Sequence, residues 1–277
     1  GWRRLTYDGM LTLLAIYLGV GCVAGILAGL LGLGGGLVIV PMLGFCFQRQ
    51  GDIPSSAVMH LALATSMASI MFTAVSSAWA HHRRGAVDWT VVGRIVPGVL
   101  AGTFLGTTVA ARLSNGFLKG FFVAFLVYVA TQMLVGRKPA ASRQLPGWPG
   151  MLGVGSVIGG VSSLVGIGGG TLSVPFMLWC NLAVHRAIGT SAAIGLPIAV
   201  GGTIGYLVNG LHVPGLPPYS VGYIYLPALV GIVCASVLMA PLGVRLAHRL
   251  PVAQLKRIFA MLLLVMAARM LWGLLAS

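Results

Sequence analysis

The stretch Gly32-Leu33-Gly34-Gly35-Gly36, running on through Leu37-Val38-Ile39-Val40-Pro41, decides how this chain is read, and it has an echo at Gly166-Ile167-Gly168-Gly169-Gly170 with Pro175. Both copies lie inside apolar sequence. Three consecutive glycines leave the backbone free to turn, so each triplet predicts an interruption between two helical pieces. In hydrocarbon a freed N–H or C=O must find a partner, so such a break persists only where protein covers it or where it lines a polar cavity. The helix that starts after each triplet presents unpaired N–H groups and a partial positive charge, an arrangement that favours an anion. Close helix packing alone would favour glycines four apart, as in Gly21 and Gly25, over three in a row.

The surrounding composition defines a membrane protein. Of 277 residues, 58% are apolar and 7% charged, and the apolar residues form long runs. Five runs occupy 10–31, 37–47, 57–80, 89–111 and 117–135; five more occupy 151–165, 171–180, 187–208, 221–244 and 252–275. Most are long enough to cross the hydrocarbon core as helices. The second run of each set is short: at about 1.5 Å per residue it reaches roughly halfway, as a re-entrant or discontinuous element would. The 10–31 run has no small-residue exit typical of a cleaved signal peptide.

The runs repeat. An offset of 134 superposes Gly25, Gly32, Pro41 and Cys46 on Gly159, Gly166, Pro175 and Cys180; an offset of 125 superposes His60 and Thr65-Ser66 on His185 and Thr190-Ser191. The expected organisation is therefore all-α: a first transmembrane repeat over 1–136, a linker at 137–147, and a second repeat over 148–277. Internal duplication is the usual architecture of secondary carriers. The basic loop His81-His82-Arg83-Arg84 faces a counterpart, 211–220, without Lys or Arg. That reversed bias is what inverted repeats require.

Charge narrows the function. The net charge of +14 sits at segment ends and in loops, with no basic stripe interleaved with aromatics, so membrane lipid is the expected partner and nucleic acid is not. There is no Glu, and Asp8, Asp52 and Asp88 lie outside or at the ends of the apolar runs, so no carboxylate at depth is available to a cation or proton carrier. The four Cys show no metal or disulfide spacing, and no metal or cofactor is expected.

The candidate substrate-binding residues are Gly34, Gly35, Gly36, Thr65, Ser66, Gly168, Gly169, Gly170, Thr190 and Ser191. The hydroxyls would act as neutral donors to anion oxygens, although Ser and Thr in membrane helices also bond backbone carbonyls or cross-helix partners. His60 and His185 are candidates for a titratable gate or proton coupling, against the plainer reading of histidines at a helix mouth. Cys46 and Cys180 are candidates for a sulfur contact, against that of small buried hydrophobes. Arg94 and Arg269 read as cations that snorkel toward the interface, and Trp89, Trp148 and Tyr219 as an interfacial belt.

Two copies of the glycine motif with its proline, and two Thr-Ser elements, make the chain resemble the sulfite exporter TauE/SafE family over nearly its whole length. The resemblance implies a bacterial inner-membrane permease for small sulfur-containing anions such as sulfite or organosulfonates, with alternating access and no enzymatic chemistry. The partners expected are a small anionic substrate and lipid, with a homo-oligomer as an option. An anion channel built from the same half-helices is the nearest rival. A membrane enzyme or assembly factor would need a nucleophile or metal constellation that the spacing does not offer.

Overall fold

The computed structural model describes residues 7–31, 35–136, 143–247 and 252–275. Its helices follow the apolar runs: α1 (Tyr7–Leu31), α2 (Gly36–Arg49), α3 (Val58–Arg83), α4 (Trp89–Arg112), α5 (Asn115–Val135), α6 (Trp148–Val165), α7 (Gly170–Trp179), α8 (Val184–Gly210), α9 (Leu226–Ala247) and α10 (Val252–Leu275). Among the described residues, α3, α4, α5, α6, α8 and the Arg257–Leu275 part of α10 are long and apolar enough to cross a membrane; α2 and α7 are the short ones. The fold is a nearly all-helical polytopic bundle.

Local chemistry sets the helix ends. Asp88 Oδ1 accepts from the N–H groups of Thr90 and Val91 and opens α4, and Ser114 Oγ accepts from Phe117 N and opens α5. One stretch departs from the expected helix. Residues 220–225 form an antiparallel hairpin, β1 (Ser220–Val221) and β2 (Ile224–Tyr225), before α9 starts at Leu226. The turn is fixed by Gly222 at φ 56°, and the backbone of Leu207 occupies the space its side chain would need.

Helix partners exchange between the two halves of the chain. The first helix of each half packs on the fourth helix of the other, α1 on α9 and α6 on α4; α3 packs on α8, and α5 on α10. Glycines make these seams. A Cβ on Gly21 would stand 2.7 Å from Ile232 O, one on Gly25 2.6 Å from Ser236 O, and one on Gly155 2.5 Å from Ile95 O. Without a hydrophobic drive between helices in lipid, such backbone approach supplies the packing. A comparison within one helix tests this. In α6, Gly159 abuts Val99 O and Thr103, whereas Gly153 has nothing within 4 Å. Gly159→Ala is expected to destabilise by about 1–3 kcal/mol, while Gly153→Ala should be neutral or stabilising because alanine favours helix, as thermal unfolding would show.

Two contacts fix the direction of the central helices. Near the start of α3, His60 Nε2 bonds Ala110 O near the end of α4, 2.9 Å away; near the start of α8, Thr190 Oγ1 accepts from Asp88 N, just before the beginning of α4. α3 and α8, which pack on each other, therefore run in opposite directions.

Candidate functional site

Both helix breaks lie on the α3–α8 core. Gly35 (φ 74°, ψ −15°) and Gly169 (φ 76°, ψ −8°) are the N-caps of α2 and α7, in the left-handed conformation that a residue with a Cβ adopts only at a cost. Gly35 O accepts from Val38 and Ile39, and Gly169 O from Leu172 and Ser173. The N–H groups of Gly36 and Leu37, and of Gly170 and Thr171, have no such partner among the described residues, as the first turn of a helix dictates. Gly34 lies outside the described residues. Gly168 packs against Ile70 of α3.

The two breaks touch. A Cβ on Gly36 would stand 2.6 Å from Gly166 O and 3.1 Å from Ile167 Cα, and one on Gly195 of α8 would stand 3.0 Å from Gly168 O. Ser66 Oγ donates to Gly166 O at 2.8 Å, tying the second break to α3. The proton of Ser66 is thus directed at the backbone. Its counterpart Ser191 lies 2.7 Å from Ser173 Oγ, and Ser173 in turn donates to Gly169 O at 3.0 Å. The threonines play matching parts. Thr65 Oγ1 accepts from Tyr225 N, the residue before α9, just as Thr190 Oγ1 accepts from Asp88 N, the residue before α4. All four hydroxyls are buried. They brace the breaks and the entry to each fourth helix, and the surrounding Leu63, Ile70 and Ile198 are uncharged.

Three further hydroxyls gather at the second break. Besides Ser173, they are Ser162, fully buried, with its Oγ 3.4 Å from where a Gly169 Cβ would stand, and Thr171 at the second position of α7. Among the described residues, neither Ser162 Oγ nor Thr171 Oγ1 has a hydrogen-bond partner. Reading the sequence for what both halves share passes over them. At the positions 134 residues earlier stand Ala28, Leu37 and Ile39.

The remaining candidates separate. His60 is buried, stacked on Tyr223 at 5.0 Å, with no partner for Nδ1 among the described residues, whereas His185 is exposed at the start of α8. Cys46 is half-buried in α2, and Cys180 is buried just after α7. Arg94 is exposed and lines a cavity of about 220 Å³ between the starts of α4 and α6, with Thr90, Leu145 and Met151. That cavity lies at the helix mouths, away from the breaks.

Two helix breaks that meet inside a polytopic helical bundle are an arrangement known from membrane transporters built on discontinuous helices. The family model described as Sulfite exporter TauE/SafE matches residues 17–270, and the chain belongs to that family. It is 38% identical to a probable membrane transporter protein of Haemophilus influenzae over 94% of this chain and 99% of that one. It is also 29% identical to a probable membrane transporter protein of Bacillus subtilis (89% and 94% covered) and 27% identical to one of Methanocaldococcus jannaschii (97% and 98% covered). No solved structure matches the chain. The protein is a membrane transporter by family.

Proposed function

We propose that the protein is a secondary permease for small sulfur-containing oxyanions, sulfite or an organosulfonate, which bind where the two helix breaks meet. The observation that carries this reading is the contact of Gly36 with Gly166 and Ile167, which sets the N-termini of α2 and α7 beside one interface among uncharged side chains. Aligned backbone N–H groups there would offset the desolvation of an anion without a buried Lys or Arg. The antiparallel run of α3 and α8 and the exchanged helix partners support two inverted repeats, over 1–136 and 148–277, joined by the linker at 137–147. The first break rests against the second here, and alternating access would have the two part to admit the ligand.

Orientation follows from charge. Arg83, Arg84, Arg94, Arg143 and Arg186 gather at the end where α4, α6 and α8 begin, against Arg112 and Lys119 near the end where α3 and α5 begin. The positive-inside rule makes the first end cytoplasmic, in the inner membrane of a bacterial cell.

The test is thermal unfolding of the purified protein with sulfite, sulfate, thiosulfate, sulfonates and carboxylates. A ligand of the folded state raises its apparent stability, by about 2.7 kcal/mol at a hundred times Kd. Sulfite or a sulfonate should give the largest shift, and saturable counterflow in proteoliposomes should accompany it. A shift with carboxylates alone would sink the substrate assignment, and unsaturable flux would make the protein a channel.

A further inference from the structure

We infer that the anion site is one-sided: within the interface proposed above, and resting on that reading, the ligand is held by the second break alone, by Ser162, Thr171 and the N-terminus of α7.

The argument starts from how buried hydroxyls are satisfied elsewhere in the protein. Ser69, Thr103, Thr107, Ser163, Ser173 and Ser236 each donate to a carbonyl three or four residues back. That bond is always within reach of a helical Ser or Thr and costs little. Ser162 sits in the same helix as Ser163, one residue away, at 0% exposure, and does not make it. Thr171, at 6% exposure, stands in the first turn of α7, next to N–H groups that are themselves unpaired. An unmade hydrogen bond at a buried hydroxyl is expensive, so such groups point to a partner supplied from outside the chain.

Both hydroxyls belong to the second break. Ser162 Oγ lies beside Gly169, the left-handed N-cap of α7, where Ile198 Cδ1 and Ile158 also pack, and Thr171 follows two residues later. Beside Ile158 and Ile198, the polar groups there are hydroxyls and helix N–H donors, with no carboxylate or amine among the described neighbours. The complementary ligand is a compact acceptor with several oxygens, as an oxyanion is. The first break presents no equivalent set. At the matching positions Ala28, Leu37 and Ile39 have no hydroxyl, and Leu37 and Ile39 are buried in the apolar core. When the breaks part, the anion therefore travels with α7, while α2 acts as an apolar shutter.

The experiment uses the whole protein in detergent, with sulfite as the probe and thermal unfolding as the readout, on Ser162→Ala, Thr171→Val and, from the other side, Ile39→Val. If the hydroxyls serve the ligand, the first two variants unfold without sulfite at or above the wild-type temperature, because each removes an unpaired buried polar group. Their apparent Kd for sulfite should rise by about tenfold or more each, and Ile39→Val should bind as wild type does. Variants that lower the unliganded unfolding temperature yet bind sulfite as tightly as wild type would overturn the inference, since the hydroxyls would then serve the fold. If wild type ignores sulfite but responds to phosphate or a carboxylate, and Ser162→Ala and Thr171→Val lose that response, the site stands and the sulfur assignment falls. A wild type that responds to no anion overturns both.

Discussion

Gly36→Val is expected to abolish transport while leaving the protein in the membrane. The position opens α2 and faces the second break, where a Cβ would meet Gly166 O at 2.6 Å, Ile70 Cδ1 at 2.9 Å and Ile167 Cα at 3.1 Å. Two of those three atoms are backbone and cannot swing aside, so the valine would wedge the breaks apart and keep them from closing. A carrier unable to close one side of its site cannot complete a cycle. Flux into proteoliposomes should fall to the protein-free background, with membrane abundance near wild type. Gly35→Leu and Gly169→Leu should give the same result, because each also forces a side chain into the left-handed region. Gly44→Ala, in the same helix as Gly36 with nothing within 4 Å, should transport normally. Normal flux in Gly36→Val would show that the meeting of the two breaks plays no part in the cycle.

The double change Ser66→Ala, Ser191→Ala should weaken sulfite binding by about tenfold or more, whereas Arg94→Gln should leave it nearly intact. Ser66 holds Gly166 O against α3, and Ser191 holds Ser173 and, through it, the Gly169 carbonyl. Removing both donors leaves a buried carbonyl and a buried hydroxyl short of partners, at a cost of about 1–3 kcal/mol each, and lets the second break drift from the geometry the anion requires. Arg94 lines the cavity at the mouths of α4 and α6 and touches neither break. Loss of binding in Arg94→Gln, with the serine pair silent, would move the site to that cavity and away from the breaks.

Much of this architecture is legible in the residues themselves. Long apolar runs and glycine triplets mark nearly every helix, and the left-handed caps fall on Gly35 and Gly169, inside the triplets. The hairpin at 220–225 is not legible, because Val221, Tyr223, Ile224 and Tyr225 continue the apolar run of α9, and only the turn at Gly222 and the bond from Tyr225 N to Thr65 set them apart. The partners of the Thr-Ser pairs lie in distant segments, so their bracing role depends on the fold. Ser162, Thr171 and Ser173 are hidden for a different reason: duplication draws attention to what the halves share, and these three are where they differ. The two histidines show the converse, since equal positions in the repeat leave His60 buried and His185 in the open.

The glycine seams also bear on how the protein is made. Because α1 packs on α9 and α4 on α6, the first half leaves synthesis with two bare glycine faces turned to lipid and no partner for either. α4 waits only until α6 enters the bilayer, but α1 waits until α9 does. An early helix is thus locked by one that inserts much later, so the nascent bundle stays unzipped along this seam until α9 arrives.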